Sequence, residues 1–124
     1  MKKTITSLAA VLSIVAGSAF AGNLSIVEQW GLGNGQITMQ SGSNFAYTGQ
    51  AGGFNGSATN QYGSGNAAGT MQLGLGNGSV TNQAGHFNLS DTIQMGIGHA
   101  ATTSQLGVGN VSVTVQSDAD NPHD

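Results

Sequence analysis

Few side chains in this sequence could carry out catalysis or hold a metal ion. The 124 residues include three histidines and no cysteine, and charged residues make up only 6% of the chain. We place His86 and His99 in turns and His123 in a tail, and no Ser-His-Asp, Cys-His or paired-carboxylate arrangement stands out. The sequence therefore favours a protein that is not an enzyme and that uses no cofactor or metal.

Side-chain amides are the polar groups with a regular spacing. Nine of the ten Gln residues form a regular series, in which seven of the eight intervals are 11 residues and one is 10. Gly follows two residues after each of the first eight, and Asn usually follows after five, with His99 once in that place. Equally spaced amides can satisfy one another when copies of a repeat stack. The predicted stacking ladder is Gln29, Gln40, Gln50, Gln61, Gln72, Gln83, Gln94, Gln105 and Gln116, with Asn23, Asn34, Asn44, Asn55, Asn66, Asn77, Asn88 and Asn110. The predicted turn glycines are Gly31, Gly42, Gly52, Gly63, Gly74, Gly85, Gly96 and Gly107.

The elements that position these amides are predicted to be short β-strands. The unit reads N-x-[S/A]-x-T-x-Q-x-G-x-x, in which alternation with period two ends in a G-x-x-N turn. Nine such strands with one turn spacing fit a solenoid better than a sandwich or barrel. We expect an all-β, cross-β solenoid over residues 22–117, with two strands in each 22-residue rung and polymerisation end to end.

Two arguments disagree about which face of the strands is inside. Burial of apolar area favours an interior of Leu, Ile and Val. The Ser, Thr, Gln and Asn columns are far more uniform, and Glu28 and Asp91 lie on the variable face, where a buried unpaired carboxylate would be costly. We therefore expect the polar face to be inside and the apolar residues outside.

The two ends of the chain differ from the repeats. Residues 1–21 carry Lys2 and Lys3, an apolar run and an A-x-A pattern at Ala19 and Ala21, which predicts a cleaved secretory signal peptide. The remaining chain has five acids and no Lys or Arg, which argues against nucleic acid as a partner and against an anionic membrane surface. Residues 118–124 read as an acidic C-terminal tail.

The repeat from Asn23 to Asn121 resembles the curlin repeat of bacterial curli amyloid subunits. The best matches run from Gln61 through Asn66 to Gln72, and from there through Asn77 to Gln83. The resemblance implies a secreted fibre subunit on the bacterial cell surface that supports adhesion and the biofilm matrix. It also implies partners: further copies of the chain, a nucleator subunit, an outer-membrane secretion pore and periplasmic chaperones.

Two alternative functions stay open from the sequence. The chain could be a minor nucleator of such fibres, although no distinct anchoring segment is visible and a major subunit is favoured. It could also be a monomeric ice-binding or other surface-binding solenoid, if the Thr column from Thr48 to Thr114 pointed outward as a flat array. Neither alternative requires stable insertion into a membrane.

Overall fold

A computed structural model describes residues 22–118 of the chain. The predicted signal peptide and residues 119–124 of the predicted tail lie outside the described residues. The described part folds into seven strands: β1 Leu24–Leu32, β2 Gly35–Gly53, β3 Gly56–Leu75, β4 Gly78–His86, β5 Leu89–Ile97, β6 Ala100–Val108 and β7 Val111–Ser117. No helix in this part has the length and apolar character needed to cross a bilayer.

The strands coil into a β-solenoid of about four turns, in which every pairing is parallel and in register. One side, the five-segment stack, superimposes residues 24–32, 45–53, 67–75, 89–97 and 111–117. The other side, the four-segment stack, superimposes residues 35–43, 56–64, 78–86 and 100–108. We call one coil, with a segment on each side, a rung.

The expected count of nine strands is wrong, because β2 and β3 each turn a corner without a break. They are 19 and 20 residues long, and each supplies a segment to both stacks. At the corner that β2 and β3 share, Ser43 pairs with Ser64, and the next pair along the strands is Phe45 with Ala67. The residue missing from the 10-residue interval is absorbed there as a register shift, so the hydrogen-bonded ladder continues around the corner.

The interior between the two stacks is polar, as the uniformity of its columns indicated. Its largest fully buried side chains are Gln, Asn and Thr, and the only buried apolar residues among those described are Ala46, Ala68 and Ala101. Large apolar side chains point outward, and Glu28 is exposed with them. Since period-two alternation sends neighbouring residues to opposite faces, an inward Gln and Thr column obliges the apolar residues between them to face out.

Candidate functional site

The nine predicted Gln residues form two continuous hydrogen-bonded columns, one in each stack. In both columns the Nε2 group of one Gln donates to the Oε1 atom of the Gln in the next rung. In the five-segment stack the distances are 2.6, 2.7, 2.7 and 2.8 Å from Gln29 through Gln50, Gln72 and Gln94 to Gln116. In the four-segment stack they are 2.7, 2.8 and 2.7 Å from Gln40 through Gln61 and Gln83 to Gln105. All donors point the same way, so each column has a polarity.

The same amides tie the two stacks together across the thin interior. Gln72 donates a second hydrogen bond of 3.0 Å to the carbonyl of Gly56, which begins a segment of the opposite stack. Gln61 and Gln83 make the equivalent bonds to Phe45 and Ala67, at 2.9 and 3.0 Å. The five fully buried Gln side chains therefore use both amide hydrogens, one along the solenoid axis and one across it, which explains how a core without large apolar side chains is held together.

Asn side chains form a second pair of columns at the corners. One contains Asn34, Asn55 and Asn77 and continues into His99, and the other contains Asn23, Asn44, Asn66, Asn88 and Asn110. Within each, the Oδ1 atom accepts the backbone N–H of its counterpart one rung later. Asn66 also donates 3.1 Å bonds to the carbonyls of Tyr62 and Gly85, in its own rung and the next. Asn at this position thus supplies a hydrogen bond to a corner carbonyl of its own rung and to one of the next.

The turn glycines allow adjacent rungs to approach closely at the corners. Gly85 has φ +119°, and a Cβ atom placed on it would lie 1.9 Å from the carbonyl oxygen of Gly107 in the next rung. The same clash is present at Gly31, Gly42, Gly52, Gly63 and Gly74. The spacing of one Gly after each Gln therefore reflects both a backbone conformation unfavourable to L-residues and a lack of space.

The Thr column lies inside the solenoid, where the hydroxyls of its central members have no hydrogen-bond partner within residues 22–118. Thr48, Thr59, Thr70, Thr81 and Thr92 are at most 1% exposed, and all five Oγ1 atoms are unpaired. Small β-branched side chains suit a narrow strand interior, where the methyl group supplies the contact. An outward array of Thr, which a surface-binding solenoid requires, is not present on the five-segment or four-segment stack at these positions.

Asp118 and His99 form a corner that the repeat pattern did not predict. Asp118 follows β7 at the position that Gly occupies in earlier rungs, and its carboxylate lies 3.0 Å from His99 Nε2 and accepts a 3.0 Å bond from the Ile97 N–H. His99 replaces Asn in its column and lies 3.1 Å from the Met95 carbonyl, four residues back, as Asn77 lies near Leu73. The signal was present in the sequence, because Asp118 comes two residues after Gln116.

The first and last rungs of the described chain present complementary amide groups. Within residues 22–118 the Oε1 atoms of Gln29 and Gln40 accept no hydrogen bond, although their Nε2 groups donate to the next rung. At the other end Gln105 and Gln116 use one amide hydrogen on a carbonyl and leave the second without a partner in the described residues. One end thus offers acceptors and the other offers donors, with the same spacing as inside the molecule.

The described histidines and carboxylates do not gather into a catalytic or metal-binding arrangement. His86 Nδ1 lies 2.8 Å from Ser64 Oγ on the outer surface, and no group of three or more potential metal ligands occurs within residues 22–118. Comparison with protein-family models and with curated proteins gave no match. The function must therefore be argued from the geometry and from the repeat itself.

Proposed function

We propose that this chain is a structural subunit that polymerises end to end into a cross-β fibre. The observation that carries the proposal is the polarity of the two Gln columns, which, within residues 22–118, begin with Oε1 acceptors that have no partner and finish with amide donors that have none. A second copy placed on the last rung would continue both columns with the hydrogen bonds that join every rung inside the molecule.

Backbone groups add to this complementarity. The last rung of the described chain leaves the outer edges of β6 and β7 unpaired, and the first leaves β1 and the beginning of β2 unpaired. The ordering entropy of a 22-residue rung, at about 1–2 kcal/mol per residue, exceeds what its backbone hydrogen bonds return at about 1 kcal/mol net each. The Gln and Asn columns and the packing of the rung against the folded end must therefore contribute to growth. A folded end is thus a better template than a free chain.

We place this fibre outside a bacterial cell, as a curli-like amyloid of the surface that supports adhesion and biofilm matrix formation. The support is the nine-fold N-x-[S/A]-x-T-x-Q-x-G-x-x repeat, which resembles the curlin repeat over residues 23–121, and the secretory pattern of residues 1–21. In this proposal the chain associates with its own copies, and a nucleator subunit, periplasmic chaperones and an outer-membrane pore serve its export and assembly.

Between the two fibre roles, we favour the major subunit over the nucleator. The column interactions are almost uniform along the chain, with Gln–Gln distances from 2.6 to 2.8 Å in every rung. A subunit that must accept a new copy of itself indefinitely benefits from such uniformity. The burial of the Thr column favours the fibre over the ice-binding alternative, which needs those side chains outside.

The proposal is tested by seeding. Purified residues 22–124 are incubated at micromolar concentration with and without fragments of their own aged product, and growth is followed by thioflavin fluorescence and electron microscopy. We expect a lag that seeds abolish, and fibres with a meridional spacing of about 4.7–4.8 Å. A chain that stays monomeric in the presence of seeds would refute the proposal.

A further inference from the structure

The two outer surfaces of the solenoid differ strongly in apolar character. Of the 22 large apolar side chains that are exposed within residues 22–118, 14 lie on the five-segment stack and six on the four-segment stack. We call the outward side chains of the five-segment stack the apolar face. An exposed apolar surface of this extent indicates a contact site.

The dimensions of the apolar face match those of a stable interface between two proteins. Five segments spaced about 4.8 Å apart and nine residues rising about 3.3 Å each give roughly 24 by 30 Å, or about 700 Å². Two such faces in contact would remove about 1,400 Å² from water, which is within the usual range of specific complexes of about 1,200–2,000 Å². Flat sheets also pack well on flat sheets, at a separation of about 10 Å.

We propose that the apolar face pairs with the same face of a second copy of this chain, with the rungs of the two copies running in opposite directions. This pairing is lateral, whereas the proposed fibre growth is axial, and neither association requires the other. The shape of the partner surface is known, because the second copy presents the same apolar face.

The two carboxylates on the apolar face select the antiparallel arrangement. Glu28 occupies the central column of the first segment and Asp91 lies one column earlier in the fourth. If the rungs of both copies ran the same way, the twofold axis would place Glu28 directly against Glu28 of the second copy. Two like charges in contact within an apolar interface are strongly unfavourable.

With the rungs reversed, no carboxylate meets another. The first segment then faces the fifth, so Glu28 lies opposite Val115, and the fourth faces the second, so Asp91 lies opposite Tyr47. The Tyr47 hydroxyl already lies 3.4 Å from Glu28 in its own chain, which places a donor on this part of the surface. The charge pattern thus distinguishes two orientations that are equal in apolar area.

The first test compares matched surface substitutions. Leu73→Lys places a charge in the middle segment of the apolar face, and Met39→Lys places the same charge on the four-segment stack; the two side chains are 41% and 47% exposed. We expect the parent and Met39→Lys chains to sediment as dimers at micromolar concentration before fibres form. We expect Leu73→Lys to weaken the dimer at least tenfold, with seeded growth unchanged within twofold.

The outcomes separate lateral pairing from the proposed fibre function. A chain that forms no fibres but sediments as a dimer sensitive only to Leu73→Lys supports the pairing and refutes the fibre. A parent that sediments only as a monomer before fibres form overturns the pairing, as does an equal effect of the two substitutions on the dimer. Binding of a monomeric parent to phosphatidylcholine vesicles would assign the apolar face to a lipid surface and would likewise overturn it.

Orientation is tested with a single cysteine, since the chain has none of its own. Leu75 lies at one edge of the third, central segment, which faces itself when the rungs are reversed. Leu75→Cys should then be cross-linked to its copy by a bis-maleimide that spans about 10 Å. With the rungs in the same direction the two thiols would be about 26 Å apart at about 3.3 Å per residue, and no cross-linked dimer would form.

Discussion

Alanine at Gly85 and at Gly107 should separate folding of the subunit from growth of the fibre. Both glycines have φ +119°, so each substitution forces Ala into a conformation that costs about 1–3 kcal/mol. At Gly85 the new Cβ would also lie 1.9 Å from the Gly107 carbonyl oxygen, whereas at Gly107 the nearest atom in the described residues is Asn110 Nδ2 at 3.5 Å, an ordinary contact. The steric clash is therefore internal at Gly85 and absent at Gly107.

The difference between the two variants can be estimated from this geometry. Relief of a 1.9 Å contact requires adjacent rungs to separate by more than an ångström at that corner, which lengthens the neighbouring ladder bonds. We expect a loss of about 2–3 kcal/mol beyond the backbone strain, equivalent to weakening two or three hydrogen bonds. In a fibre, Gly107→Ala places the same clash at the junction with the next subunit. The affinity of the fibre end for that subunit should therefore fall by about 30–150-fold, since about 1.4 kcal/mol corresponds to a factor of ten.

Urea unfolding of freshly prepared soluble chain and seeded elongation measure the two effects. Gly85→Ala should lower the free energy of unfolding by about 2–3 kcal/mol more than Gly107→Ala does. Gly107→Ala should remain folded, elongate parent seeds poorly and inhibit parent growth at substoichiometric amounts, because a terminal copy blocks the next addition. Parent-like elongation by Gly107→Ala, or equal destabilisation by both substitutions, would refute the proposed stacking of rungs across the junction.

Three further substitutions test the interior and the corners. Gln72→Leu should destabilise the chain by about 3–5 kcal/mol in urea unfolding, because it leaves three buried hydrogen-bond partners unsatisfied; an effect below about 1 kcal/mol would contradict a structural role for the column. Thr70→Val removes an unpaired buried hydroxyl and should raise the free energy of unfolding by about 1 kcal/mol, and destabilisation would show that the hydroxyl is paired. Gly33→Ala should cost about 1 kcal/mol more than Gly76→Ala, because its Cβ would lie 2.8 Å from the ring of Phe54 while that of Gly76 meets nothing within 4 Å. The excess should disappear in a Phe54→Gly background, and its persistence there would exclude the ring as its cause.

The sequence predicted the solenoid because several residue types, each in its own column, recur with the same period. Gln, Thr, Gly and Asn each recur at the same interval, and only stacked coils place four such series in register without conflict. Glu28 and Asp91 indicated which face is outward, since a carboxylate is stable in solvent and costly to bury in a thin interior. Apolar content alone would have predicted the reverse.

The strand count and the backbone conformations of Phe54 and Phe87 could not be predicted from the repeat. Whether a strand continues around a corner depends on local pairing such as that of Ser43 with Ser64, which composition does not fix. Phe54 and Phe87 adopt φ 57° at a turn position that Gly occupies in most other rungs. Since bulky residues rarely adopt this conformation, the stacked backbone must impose it on them.

Cryo-electron microscopy of fibres grown from residues 22–124 tests the central claim most directly. The account predicts rungs spaced about 4.8 Å apart, with no change of spacing where one copy ends and the next begins, and with the Gln columns continuous across that junction. Fibres whose subunits meet through any other surface, with the amides of Gln105 and Gln116 facing solvent, would contradict it.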